Sequence, residues 1–362
     1  MPETSRYAVV VDASEQVGAA REGDGAPGEI PVVGQRVPPW RAYADRMKSE
    51  ALDSHHQDDV EGGSDELELE VVAPSRRRLR GLGRFENNLS RKGLFELRPR
   101  RGGEPLGEVE RFDLVGKTTL SFTFGALGVM EMDLLAWTMG QWERDRPTVT
   151  FSLRECARSF GRSWKGQLGR DIKDSLARMK GVTITGRVWD AETRKHVTKH
   201  FGIFEEVTII EDRRSENGPA TSPATITVLL SGWLLSQLSA GQYSDFDWDG
   251  YKRRLQSGFE RRLFLLLESQ EGEQDGCLYR VPIDNRLGDS LGDTDAVRNR
   301  SRFRERLRQA GAGICRTHPQ YLSITVKAGE RRGEYWLHVE RSERWLAGKR
   351  AGRRLRLGLG AA

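Results

Sequence analysis

The sequence predicts an α+β fold in which one plan of helices and strands is used twice, behind an acidic N-terminal tail of low order. Three observations predict it. Charge divides the chain: residues 1–73 hold 16 acidic and 6 basic residues, a net of −10, so the remainder of a chain with formal net charge +5 carries +15. Apolar residues recur at helical spacing in two stretches, each followed by β-rich runs. The stretches keep register, with Asp133 standing 130 positions before Leu263, Phe151 128 before Tyr279, and Ile172 131 before Phe303.

Length and composition set the outer bounds. A chain of 362 residues has room for two ordinary domains and more, and 37% hydrophobic with 31% charged residues fits real cores under a charged surface. No apolar run approaches the roughly 18 residues of a membrane span, and MPETSRYAVVVDASEQ lacks the basic then apolar order of a secretory leader. A cytoplasmic protein without membrane contact is expected. Cys156, Cys277 and Cys315 are odd in number and far apart, which fits buried thiols in a reducing compartment better than a disulfide framework or a zinc site.

Residues 1–75 read as the tail. Gly, Pro, Ser and acidic residues fill 15–64, too little apolar surface to offset the entropy of ordering, with one short helix expected over Pro39–Leu52. The run Ser75–Arg78 reverses the charge sign, and folding is expected to start near Phe85. The expected domains are 85–240 and 250–341, with a basic tail over 342–362. From Arg341 to Arg356 that end holds seven basic residues and one acid, Glu343, a source of salt-sensitive affinity for a polyanion.

In the first unit a strand near Leu120–Phe124 precedes a helix with Leu127, Met130, Leu134 and Trp137 on one face. A short helix over Phe151–Phe160 begins at Ser152, Gly161–Ser163 turns, and a helix follows with Leu168, Ile172, Leu176 and Met179 inward and Gly181 as its stop. Strands are expected over Val182–Trp189, His200–Ile210 and Thr225–Leu230, with Asp190–Lys199 as a polar hairpin tip and Gly232–Leu238 as a closing helix. The second unit repeats this order. Leu255, Phe259, Leu263 and Leu266 share a helix face, Tyr279–Pro282 leads into a short helix over Asp284–Leu291, and Gly292–Asp295 turns. A helix then points Phe303, Leu307 and Ala310 inward and stops at Gly311, before strands Tyr321–Lys327 and Glu334–Glu340 around the tip Ala328–Gly333.

Helix, short helix, tight turn, helix and hairpin is the order of a winged helix. Two tandem winged-helix domains imply a protein that places a helix in the major groove of double-stranded DNA and a hairpin against its backbone. In the second unit, 100° per residue turns Arg298, Ser301, Arg308 and Gln309 outward, flanked by Arg302 and Arg304. Arginine suits guanine edges and phosphates because its fork donates bidentately. In the first unit the same geometry exposes Ser163, Gln167, Arg170, Asp174 and Arg178, with Lys173 nearby, a less positive face that contacts DNA or serves as a protein interface. The wings carry Arg187, Arg194, Lys195 and Lys199, then Lys327, Arg331 and Arg332.

Other motifs point to no chemistry. Gly116–Thr119 (GKTT) lacks the glycine a phosphate loop needs at position 111, which is Arg111, and a strand is expected after it. His196 and His200 fall in a hairpin without a glutamate pattern, no His-x-His pair exists, and no nucleophile triad or carboxylate pair stands out. No catalytic residue, metal or cofactor is expected. Trp137, Trp233 and Trp336 are read as core.

FERRLFLLLESQEG (Phe259–Gly272), YRVPIDNRLGDSLG (Tyr279–Gly292) and RFRERLRQAG (Arg302–Gly311), with NLSRKGLFELR (88–98) as a lead-in, resemble the replication initiator protein A family of plasmid initiators. The resemblance spans about Phe85 to Arg341. It implies binding to repeated origin sites (iterons), opening of nearby duplex, recruitment of the host initiator and helicase machinery, and a homodimer through the first unit that represses its own promoter. The weakly basic first recognition helix and the acidic head depart from that pattern. A winged-helix transcription regulator without origin opening is the alternative.

Overall fold

The computed structural model describes residues 81–97, 107–114, 116–144, 146–161, 166–190, 193–210, 224–269, 277–293, 296 and 298–347, all within one compact unit, Gly63–Ala362. The acidic tail with its expected helix, Ser163, and all of the basic tail beyond 347 lie outside the described residues.

The fold mixes helix and sheet. It opens with β1 (Leu82–Glu86) and a short helix α1 (Asn87–Arg91). β1 pairs antiparallel with β9 (Tyr243–Asp247), Leu82 opposite Asp247 and Glu86 opposite Tyr243, so the first strand closes onto the connection between the halves. Glu86 caps α1 from full burial, accepting from Asn88 N (3.0 Å), Asn88 Nδ2 (2.8 Å) and Leu89 N (2.8 Å). Loss of hydration outweighs these bonds and raises its pKa from 4.5 to about 7. A carboxyl raised on folding stabilises the native state fully below 4.5 and loses that contribution as pH climbs through about 7. We therefore expect about 3 kcal/mol of pH-dependent stability from this group across that window. Denaturant titrations of Glu86→Gln at several pH values should lack it, and an unchanged pH profile would refute the assignment.

In the first half, β2 (Gly107–Phe112) and β3 (Lys117–Phe122) precede α2 (Val129–Gly140), β4 (Thr148–Ser152), α3 (Leu153–Ser159) and α4 (Gly166–Lys180). Then come β5 (Val182–Asp190), β6 (Lys195–Gly202), β7 (Phe204–Ile210), β8 (Thr225–Leu230) and α5 (Gly232–Ser239). Ser152 starts α3 by accepting from Glu155 N at 3.1 Å. Leu168, Ile172, Leu176 and Met179 form the buried stripe of α4, which ends one residue before Gly181. Lys117 opens β3 opposite Phe112, so GKTT runs into a strand.

Two expectations are corrected here. The single strand over His200–Ile210 is two, because β6 joins the sheet β2-β3-β5-β6 whereas β7 joins β4-β8-β7. Ile203, buried at the crossing, gives its carbonyl to Ser231 N. The first hairpin tip is also shorter than Asp190–Lys199, since Lys195–Lys199 already pair with Asp190–Gly186 of β5.

The second half follows a π-helical turn (Gly250–Arg254) with α6 (Gly258–Ser269), β10 (Leu278–Pro282), α7 (Asn285–Ser290), α8 (Arg300–Thr317), β11 (Tyr321–Ala328) and β12 (Tyr335–Arg341). Leu255, expected on the helix, is buried just before α6. Asp284 caps α7 by accepting from Leu287 N at 3.1 Å. The short helices of both halves end on a left-handed glycine, Gly161 (φ 66°) and Gly292 (φ 67°). The sheets differ: β10 joins β12 of the following hairpin, whereas β4 pairs with β8.

Gly311 does not stop its helix. α8 continues to Thr317 with Phe303, Leu307, Ala310 and Ile314 buried at helical spacing. A Cβ on Gly311 would lie 2.7 Å from Ile324 Cγ2 and 3.0 Å from Ile324 O, so this glycine serves the close approach of α8 to β11. Arg341, read as the start of the basic run, is instead buried at the end of β12 with its guanidinium 4.3 Å over the Tyr279 ring. Trp137 and Trp233 are core, whereas Trp336 is half-buried. Of the three free thiols Cys156 is buried and Cys277 and Cys315 are half-buried. No described helix is long and apolar enough to cross a membrane.

Candidate nucleic-acid interface

The outward face of α8 is built by subtraction. Its apolar stripe takes one side, which leaves Ser301, Arg302, Glu305, Arg308 and Gln309 exposed. The helix begins at Arg300 because Asn299 caps it, accepting from Arg302 N at 3.0 Å. Arg298 therefore stands in the turn before the cap, not on the helix, and is exposed. Arg298, Arg300 and Arg302 make no ion pair among the described residues. The first turn holds no acid, whereas α2, α3 and α6 carry Glu131, Glu155 and Glu260 there. A helix N-terminus is partially positive, and acids there stabilise it. Three arginines at this end oppose the helix dipole, and an anion docked among them would relieve that repulsion.

The remaining arginines of the run divide by role. Arg304 lies 4.0 Å over the Tyr335 ring, which fixes the second hairpin against the helix, and it donates to Ser301 Oγ at 3.2 Å. Arg306 pairs with Asp293 at 2.5 Å and lies 4.3 Å over Phe259, an anchor for the turn. Arg308 meets Glu305 at 3.0 Å, and Gln309 donates to the same carboxylate at 3.1 Å. An exposed i,i+3 pair of this kind contributes little, so Arg308 exchanges partners easily. Arg331 and Arg332 are exposed at the tip of the second hairpin, beside Gly333 at φ 85°.

The first half presents a different surface. Gln167 and Arg170 are exposed on α4 but bonded locally, Gln167 to Asp171 at 2.7 Å and Arg170 to Gln167 at 3.0 Å. Lys173 is half-buried. Arg178 is turned inward: Nε and Nη2 reach Glu131 Oε1 at 2.9 and 2.5 Å. The other oxygen of Glu131 accepts from Gly128 N at 2.7 Å, so Arg178 ties α4 to the start of α2. In the first hairpin Arg187, Arg194 and Lys195 are exposed, while Lys199 pairs with Asp190. His196 and His200 lie on β6, exposed. Among the described residues no group of three or more His, Cys, Asp or Glu is placed to hold a metal.

Buried polar groups tie the two halves together. Asp133 on α2 is 1% exposed and accepts from Tyr251 Oη (2.8 Å), Lys252 Nζ (2.5 Å) and Arg261 Nε (3.2 Å). Next in sequence, Arg262 is fully buried and donates through Nη2 to the carbonyls of Lys92 (2.5 Å) and Ser290 (2.7 Å). Burial lowers its pKa to about 10, so it is still a cation at neutral pH. Lys92 sends its own ammonium into the first half, to Thr118 Oγ1 (2.8 Å) and the Arg187 carbonyl (2.9 Å), with Asp113 at 3.7 Å. The lead-in segment and the Arg261–Arg262 pair thus hold one arrangement of the two basic surfaces. Sequence reasoning missed Asp133, since an acid in an apolar helix carries no periodic signal of its partners.

The fold thus presents an arginine-rich helix and hairpin on a scaffold with no metal cluster among its described residues. The family model for Replication initiator protein A matches residues 123–312, from the end of β3 into α8, and the chain belongs to that family. No curated protein matches it. Among solved structures, domains 2 and 3 of RctB are similar at 12% identity, covering 70% of this chain and 98% of that one, with a TM-score of 0.44. The Pi initiator protein in complex with iteron DNA is similar at 12% identity, covering 73% and 98%, with a TM-score of 0.42.

Proposed function

We propose that this protein is a plasmid-type replication initiator that binds repeated double-stranded sites at an origin through two winged-helix units. The observation that carries this reading is the N-terminal end of α8, where Arg298, Arg300 and Arg302 stand exposed against the helix dipole in a member of an initiator family. α8 is the main reader in the major groove, with Arg308 and Gln309 about two turns further along. The second hairpin grips the adjacent backbone with Arg331 and Arg332. The α4 face, with Arg178 withdrawn and Asp174 exposed, suits a dimer surface or weak backbone contact. Opening of the duplex, recruitment of host initiator and helicase, and repression of its own promoter as a dimer complete the proposed role. It acts in the cytoplasm, with neither catalytic residue nor cofactor.

The hairpin is tested through salt. Each phosphate neutralised on duplex DNA adds about 0.9 to the slope of log affinity against log salt. Arg331→Ala with Arg332→Ala should lower that slope by roughly 2 and weaken binding alike on specific and random duplex. An unchanged slope removes the hairpin from the interface.

A further inference from the structure

The outer face of the β10-β12-β11 sheet turns away from α8. Alternation along β12 sends Leu337, Val339 and Arg341 inward, which leaves Trp336, His338 and Glu340 on the outer side. Cross-strand register sets their neighbours: Trp336 lies opposite Lys327 and Pro282, and His338 opposite Thr325 and Arg280. Directly opposed side chains sit about 5 Å apart and diagonal ones about 7–8 Å. Trp336, on the middle strand, is thus flanked by Lys327 directly and Arg280 diagonally. Among the paired strand residues of this face Glu340 is the acid, one row beyond His338. Desolvation and then the charges of Lys327 and Arg280 hold His338 below its usual pKa, as expected where positive charge gathers.

Lys327 and Arg280 stand on the two strands either side of Trp336, and the half-buried Trp keeps part of its ring in water. An anionic chain with flat unsaturated groups matches both features. We propose that this sheet face binds single-stranded DNA, with a base stacked on Trp336 and flanking phosphates at Arg280 and Lys327. Aromatic stacking beside cations is the general means of holding unpaired strands. Duplex DNA keeps its bases stacked within and offers Trp336 only backbone, so the Trp selects the opened strand. Because α8 packs on the opposite side of the sheet, duplex and opened strand fit on one molecule together. This rests on the reading that the protein opens DNA beside its duplex site.

The test is anisotropy with labelled oligothymidylate and the full chain. Trp336→Ala should weaken binding by roughly tenfold or more, while Trp336→Phe retains most of it. Arg280→Ala with Lys327→Ala should weaken binding and flatten its salt dependence. Affinity for repeat-containing duplex should hold in Trp336→Ala and Trp336→Phe. Unchanged oligothymidylate binding in Trp336→Ala overturns the proposal, as do equal losses in the Ala and Phe variants or a wild-type protein that ignores the oligonucleotide. Loss of single-strand binding in Arg298→Ala with Arg308→Ala, with the sheet variants unaffected, places the strand on α8 and also overturns it. Failure of the duplex reading registers separately, as duplex affinity that does not depend on α8.

Discussion

Asp133→Ala is expected to destabilise the protein by about 3–5 kcal/mol, the range for removing one partner of a buried ion pair. Lys252 and Arg261 would be left in a site where they are 14% and 13% exposed, and the Tyr251 hydroxyl would lose its acceptor. The cost arises from uncompensated charge more than from lost contact, so Asp133→Asn, which keeps the shape and one acceptor, should cost less. Because the partners lie on the π-helical turn and on α6, the effect should also loosen one half from the other. Denaturant unfolding followed by circular dichroism measures the first effect. Hydrogen exchange in α2 and α6 measures the second. A loss under about 0.5 kcal/mol, the level of an ordinary surface change, would show that the network is not what joins the halves.

Arg298→Ala with Arg308→Ala should weaken binding to the specific duplex by about 2–6 kcal/mol if each reads a base. The fold should be spared, because both side chains are exposed and the pair of Arg308 with Glu305 is a surface pair. Affinity for random duplex should fall much less, since the phosphate contacts proposed for Arg300, Arg302, Arg331 and Arg332 would remain. Arg306→Ala gives the contrast: it removes one partner of Asp293 and the cation over Phe259. It should therefore lower stability first. Equal affinity of the double variant and the wild type for the specific site would remove α8 as the reader.

Much of this was legible in residues. The buried stripes at Leu168, Ile172, Leu176 and Met179 and at Phe303, Leu307 and Ala310 fix two helices by spacing alone. Ser152 and Asp284 mark the capped starts of the short helices. What misled were signals with two physical meanings. A glycine stops a helix or admits a neighbouring strand, and Gly311 does the second. An arginine run reads as one charged surface, yet Arg304 and Arg306 turn to Tyr335, Phe259 and Asp293 within the fold. The division of strands between sheets depends on pairings between strands far apart in the chain, such as β4 with β8, and the pairing of β1 with β9 and the partners of Asp133 depend on contacts more than a hundred residues apart, none of which local pattern carries. Trp336 has the spacing of a core residue and differs only in which side of the strand faces the helices.

The central claim is that α8 and its hairpin read repeated duplex sites. A footprint of the purified full chain on DNA flanking its own gene, at about physiological salt, tests it most directly. The account predicts several equally spaced protected repeats beside an AT-rich stretch, all lost together in Arg298→Ala with Arg308→Ala. A single protected palindrome over the promoter would contradict the origin role in favour of a regulator, and protection without sequence preference would contradict the assignment of α8 as a reader.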